Sequence, residues 1–217
     1  MSDAEPSTTT TPADSEAAAP VRKRPKPGER RVQILEALAT MLEQPGAERI
    51  TTAALAARLE VSEAALYRHF ASKAQMFEGL IEFIEQTVFS LINQITERAD
   101  DTAGAGTRQA GKIVAMLVQF GEKNPGMTRV MVGDALVFEN ERLQQRMNQF
   151  FDKIEATLRQ CLRDAAQAGG AATPSVQAQV SASLLTAFVV GRLQRFARSG
   201  FKRMPSEHLE ASLALML

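Results

Sequence analysis

The residues best placed to do chemistry lie between Thr51 and Lys73. Thr51 and Thr52 offer hydroxyls at a point where a helix can start, and free backbone N–H groups there make an anion site. Ser62 is a second cap of the same kind. The run Glu63, Ala64, Ala65, Tyr67, Arg68, His69 then carries small residues, a phenol, a guanidinium and an imidazole on one short segment. Small residues let a backbone approach a groove closely and touch thymine methyls, a phenol suits a phosphate, and an arginine reaches guanine or phosphate. Lys73 follows at the start of the next helix and completes a phosphate clamp. The chemistry is recognition of double-stranded DNA rather than bond making.

Catalytic constellations are missing from the pattern. The histidines are His69, within the reading segment, and His208, near the C-terminus, with no HxxxH or carboxylate–histidine spacing between them. The single cysteine, Cys161, stands between Leu158 and Leu162 as a small core residue, which excludes an internal disulfide and a cysteine-based zinc site. There is no glycine-rich phosphate loop. The expectation is no enzyme, no cofactor and no metal.

Apolar residues make up 45% of the 217, enough for a core, and the abundance of Ala, Leu, Gln, Glu and Arg with one Tyr and no Trp is a helical composition. Net charge is zero, which hides a segregation. Residues 1–21 hold four acids and no bases, while residues 22–80 hold ten Lys/Arg against seven Asp/Glu, a net of +3. Residues 1–28 have too little apolar content to bury and are expected to be a disordered, acidic then basic tail. Its run Arg22, Lys23, Arg24, Lys26, Arg30, Arg31 is an arm suited to phosphates. No apolar leader segment and no apolar run approaching a membrane span are seen, so a cytoplasmic chain with no membrane partner is expected.

The elements that must position the DNA-reading residues follow from periodicity. Val32, Ile34, Leu35, Leu38, Met41 and Leu42 recur at helical spacing from Glu29 and stop at Pro45-Gly46. Short helices are predicted over 52–59 and 63–70, and a long one over 73–98. Ala56 is the small residue where the two short helices cross, and Leu55, Leu59, Val61 and Leu66 lock them, with Phe70 one turn beyond Leu66. Asp100 to Gly106 is a predicted loop, followed by a helix over 109–123. The Asn124-Pro125-Gly126 break follows from the residue before proline leaving the helical region and glycine accepting positive φ. Helices over 127–137, 140–167 and a last long one over 175–198 complete the chain. The last two carry broad apolar stripes that suit a two-fold four-helix interface, hence a homodimer.

Ile50-Thr51-Thr52, Leu55-Ala56, Val61-Ser62, Leu66 to Phe70 and Ser72-Lys73 together closely resemble the DNA-binding head of the TetR family, over about residues 30–78. The resemblance implies an all-α fold: a three-helix head (29–75) and a helical regulatory and dimerisation body (76–217). Glu60 departs from the family's usual glycine in the turn, and a left-handed glutamate costs on the order of 1 kcal/mol. In the body, Leu80 to Glu85, Phe120 to Gly126, Arg142 to Arg146, Ile154 to Ala156 and Leu158 to Gln160 resemble the family's nucleoid-occlusion branch. This implies a nucleoid-associated protein that sits on palindromic sites and, when DNA-bound, antagonises polymerisation of the division protein FtsZ. The FtsZ C-terminal tail is then expected at Phe83, Met116, Lys123 and Asn124. Lys123 stands where relatives often carry Arg, which removes a bidentate donor. The competing expectation is a ligand-responsive repressor of the same fold, which needs a roomy pocket; the few aromatics of the body count against it.

Overall fold

A computed structural model describes residues 28–44, 50–97 and 104–217. The tail and its bases up to Lys26, Pro45-Gly46 and most of the loop after Asp100 lie outside the described residues. The order is α1 (Glu29–Leu42), α2 (Thr52–Arg58), α3 (Glu63–Tyr67), α4 (Lys73–Glu97), α5 (Ala105–Lys123), α6 (Pro125–Met131), a 3-10 turn (Asp134–Leu136), α7 (Glu141–Ala168), α8 (Pro174–Arg198) and α9 (Leu209–Met216). The fold is all-helical, as the composition predicts.

The head closes over Ile34, Leu38, Leu42, Leu55, Ala56, Leu66 and Phe70, all buried. Its α4 continues without interruption into the body, so the expected boundary at 75 falls inside one rigid helix. Gly79 brings α4 close to that core: a Cβ there would lie 3.1 Å from the Phe70 ring. In the body, α4, α5, α7 and α8 pack around Ile84, Val88, Ile113, Val114, Leu117, Phe150, Ile154, Leu158, Leu185 and Val189, each at most 1% exposed.

Several boundaries differ from the sequence reading, each for a long-range reason. The predicted loop ends sooner, because α5 starts at Ala105 behind a left-handed Gly104. Gly106 lies inside it, and a Cβ there would stand 2.1 Å from the Cys161 carbonyl oxygen of α7. Gly126 does not take positive φ; it sits in the first turn of α6, where a Cβ would meet the Ala39 carbonyl oxygen of α1 at 1.9 Å. Close helix approach, not turn geometry, selects it. The predicted helix 127–137 is split by left-handed Gly133 into α6 and the 3-10 turn. The helix over 174–198 is not the last, since α9 follows and buries Leu209. Among the described helices α8 is also long and apolar enough to cross a membrane, with mean hydropathy 1.2 over 18 residues, against the expectation that no run approaches a span. Its apolarity divides between a face packed on α5 and α7 and an exposed stripe, Val176, Val180 and Leu184.

Candidate functional site

The reading unit is built from two caps and one turn. Thr51 caps α2 by accepting from the Ala54 N–H at 3.1 Å, and Ser62 caps α3 by accepting from the Ala65 N–H at 3.3 Å. Between them the Val61 N–H donates to the Ala56 carbonyl at 3.0 Å and the Glu60 N–H to that of Ala57 at 3.1 Å. That is a Schellman ending, whose left-handed position normally goes to glycine. Here Glu60 occupies it with φ 53°, as the sequence foresees. The cost on the order of 1 kcal/mol is carried by the Leu55, Ala56 and Leu66 lock.

The lock fixes what faces outward. Leu66 and Phe70 point in, and Glu63, Ala64, Tyr67 and Arg68 are exposed, with Ala65 and His69 half-buried at the flanks. Thr52 Oγ1 donates to Glu63 Oε2 at 2.5 Å, and the Tyr67 hydroxyl donates to Thr52 Oγ1 at 3.4 Å. The start of α2 and the exposed side of α3 are therefore one hydrogen-bonded surface. The predicted helix to residue 70 closes earlier, at Tyr67, because the His69 N–H bonds back three residues to Leu66.

Two cations take places the sequence did not show. Arg31, read as part of a basic arm, donates from Nη1 to the His69 carbonyl at 2.5 Å and lies 4.1 Å over the Phe70 ring. It clasps α1 to the end of the reading helix. Lys73 Nζ is 2.5 Å from Glu139 Oε1, with the two side chains 31% and 10% exposed, and lies 5.7 Å from the centre of the Phe77 ring. This is the first of three ion pairs pinning α4 to the start of α7; the others join Glu78 to Arg142 and Glu85 to Arg146, the latter at 2.6 Å. The hydrogen bond that Arg146 donates to Glu85, with the Glu85, Glu82 and Glu78 charges behind it, raises the Arg146 pKa against the lowering effect of its burial.

A second candidate surface lies where α4 and α5 run side by side. Lys112 and Met116 of α5 face Leu91, Gln94 and Ile95 of α4. Leu91, Gln94, Ile95, Lys112 and Met116 line a cavity of about 280 Å³ at one end. Phe83, 46% exposed, precedes Leu91 on α4 by eight residues, and Lys123 and Asn124 close α5. Lys123 is exposed, Met116 is half-buried, and Asn124 Nδ2 donates to the Phe120 carbonyl at 2.7 Å, closing α5. The result is an apolar floor with a cation at each end, the form an acidic–hydrophobic peptide fits. Lys112 belongs to it and was missed by the sequence reading; its spacing of four residues from Met116 was the available signal, whereas Gln119 lines the cavity between α5 and α9 with Ala115, Ser206 and Leu209.

Cys161 is buried, which pushes its thiol pKa up, and the Asp164 charge adds to this. No group of three His, Cys, Asp or Glu able to hold a metal occurs among the described residues.

Residues 34–80 match the model for bacterial regulatory proteins of the tetR family, and residues 107–217 match an SlmA-like model described as tetracyclin repressor-like, C-terminal domain. The nucleoid occlusion factor SlmA of Vibrio vulnificus (strain YJ016) is 50% identical over 192 residues, covering 88% of this chain and 95% of that protein. That of Aliivibrio fischeri (strain MJ11) is 49% identical over 193 residues, covering 88% and 96%. Among solved structures, the transcriptional regulator FadR from Bacillus subtilis in complex with stearoyl-CoA superimposes with TM-score 0.68 at 14% identity, over 85% of this chain and 96% of that one. The fatty acid degradation regulator FadR from Bacillus halodurans gives 0.70 at 13%, over 90% and 97%. These two share the fold alone. By the head match, the body match and the half-identical relatives matched over almost their whole length, the chain belongs to the TetR family and, within it, to the nucleoid occlusion factors named SlmA.

Proposed function

We propose that this protein is a non-enzymatic nucleoid occlusion factor of the cytoplasm. It is a homodimer that docks on palindromic chromosomal sites through α2 and α3 and, when DNA-bound, antagonises FtsZ polymerisation. The observation that carries the reading is the half-identity to nucleoid occlusion factors over almost their whole length. In this reading α3 enters a major groove, Ala64 and Ala65 approach the bases, and Thr51, Thr52, Tyr67 and Lys73 meet phosphates while Ser62, Glu63, Arg68 and His69 complete the reading face. Contact by Lys73 requires phosphate to compete with Glu139 for the ammonium. The exposed Val176, Val180 and Leu184 stripe of α8 packs on its two-fold copy, which spaces the heads on a palindrome. The FtsZ C-terminal tail lies in the α4–α5 groove, its apolar side chains on Phe83 and Met116 and its acidic groups at Lys123, with Asn124 holding the rim.

Ile113, Val114, Leu117, Phe150 and Leu185, between α4, α5, α7 and α8, are buried, which favours this reading over a ligand-responsive repressor. The test is the double variant Phe83→Ala, Lys123→Glu. It should bind DNA like the parent chain and lose its effect on FtsZ. Collapse of DNA binding as well would make these residues structural and remove the groove from the proposal.

A further inference from the structure

The connection from α8 to α9 carries two cations, Lys202 and Arg203, and is tied to Glu122 at the end of α5. Ser199 Oγ accepts from the Lys202 N–H at 3.2 Å and the Arg203 N–H at 2.9 Å, and the chain turns through positive φ at Gly200 (61°) and Phe201 (64°). A left-handed phenylalanine is costly on its own. Phe201 is held there between the Phe196 ring, 5.1 Å away, and the Arg129 guanidinium, 5.2 Å from its centre. The turn is thus pinned from below, and the side chains of Lys202 and Arg203 are presented outward. Both are exposed, and neither has an ion pair among the described residues.

The turn is also tied to the helices that frame the groove. The Ser206 N–H donates to Glu122 Oε2 at 3.3 Å, and Glu122 is the residue before Lys123. Arg129 belongs to α6, which begins directly after Asn124. These contacts join the turn to α5, α6 and α8, whereas the reading helix is clasped by Arg31 at the opposite end of α1 from Ala39, where α6 packs. That stretch of α1 alone spans about 12 Å. An anion reaching Lys202 and Arg203 therefore comes from the occupant of the groove more readily than from the duplex under α3.

We infer that Lys202 and Arg203 extend the cationic end of the α4–α5 groove and take an acidic stretch of the same protein tail, just outside its apolar core. This rests on the groove reading above. Exposed charges of this kind act mainly on encounter rate and salt dependence, so removal should show most strongly at low salt.

The test uses the full chain and fluorescent FtsZ tail peptides in three forms: unextended, and carrying four added glutamates at one end or the other. The parent chain should bind one of the extended forms about tenfold more tightly at low salt. In Lys202→Glu, Arg203→Glu that advantage should vanish while the unextended peptide binds both proteins alike; Arg203→Gln alone should give an intermediate loss. No advantage in the parent chain, or an advantage that survives the double charge reversal, overturns the inference. So does a double variant whose DNA affinity falls with a shallower salt slope, which would make the turn a phosphate contact. Failure of the unextended peptide to bind even the parent chain sinks the groove reading itself, and this inference with it.

Discussion

Gly126→Ala probes the joint between the DNA-binding head and the body. The added Cβ would stand 1.9 Å from the Ala39 carbonyl oxygen, a backbone atom of another helix. A carbon–oxygen contact needs about 3.3 Å, so α1 and α6 must part by roughly 1.4 Å. No rotamer change can relieve the clash, because neither atom belongs to a flexible side chain. Overpacking of this type costs about 1–3 kcal/mol. Alanine's better helix propensity offsets at most about 1 kcal/mol, and less in a first turn. The net expectation is a loss of about 1–2 kcal/mol, a fall in Tm of about 2–8 °C for a chain of this size. The comparison is Gly169→Ala, whose Cβ would stand 3.4 Å from its nearest neighbour and should change stability by less than about 0.5 kcal/mol. Thermal unfolding followed by circular dichroism measures both. Because α1 carries the Arg31 clasp on α3, Gly126→Ala should also weaken DNA binding at a temperature where it is still folded. An unchanged or raised Tm would refute the view that this glycine is selected by close helix approach.

Glu60→Gly should stabilise the chain by about 1 kcal/mol by relieving the positive φ of the turn, seen as a higher urea midpoint at unchanged slope; a lower midpoint would mean that the glutamate's own contacts outweigh the strain. Leu184→Glu combined with Val180→Glu places charges on the exposed α8 stripe and should give a monomer in sedimentation velocity, with helicity retained; a surviving dimer would move the interface elsewhere. Lys73→Ala should weaken binding to every duplex and lower the salt slope by about one. An unchanged slope would leave the Glu139 pair as the lysine's whole role.

What was legible in the sequence was local. The Ala56, Val61 and Leu66 spacing belongs to one helix–turn–helix, so the lock, its caps and the outward set from Glu63 to Arg68 follow from neighbours a few residues apart. Glu60 was readable through the resemblance, as the residue standing where the family usually has glycine in the turn. Distant partners were not readable. Gly126 follows a proline and reads as a turn, yet its reason is Ala39, on a helix of the other domain. Lys73 and Arg31 read as free bases because Glu139 and the His69 carbonyl come to them only on folding. Phe83, Met116, Lys123 and Asn124 came from resemblance. That Lys112 lines a cavity with Met116 emerged only once α4 and α5 lay side by side. The α9 helix escaped because it is only eight residues long and follows an irregular turn, too short for a long periodic run.

The central claim is DNA-dependent antagonism of FtsZ, and pelleting of FtsZ polymers tests it most directly. With GTP present, sedimentable FtsZ should fall when this protein is added together with a duplex carrying its palindromic site, and should fall far less with the protein alone or the duplex alone. Equal pellets in all four conditions would contradict the account and leave a TetR-fold DNA-binding protein whose body serves another purpose.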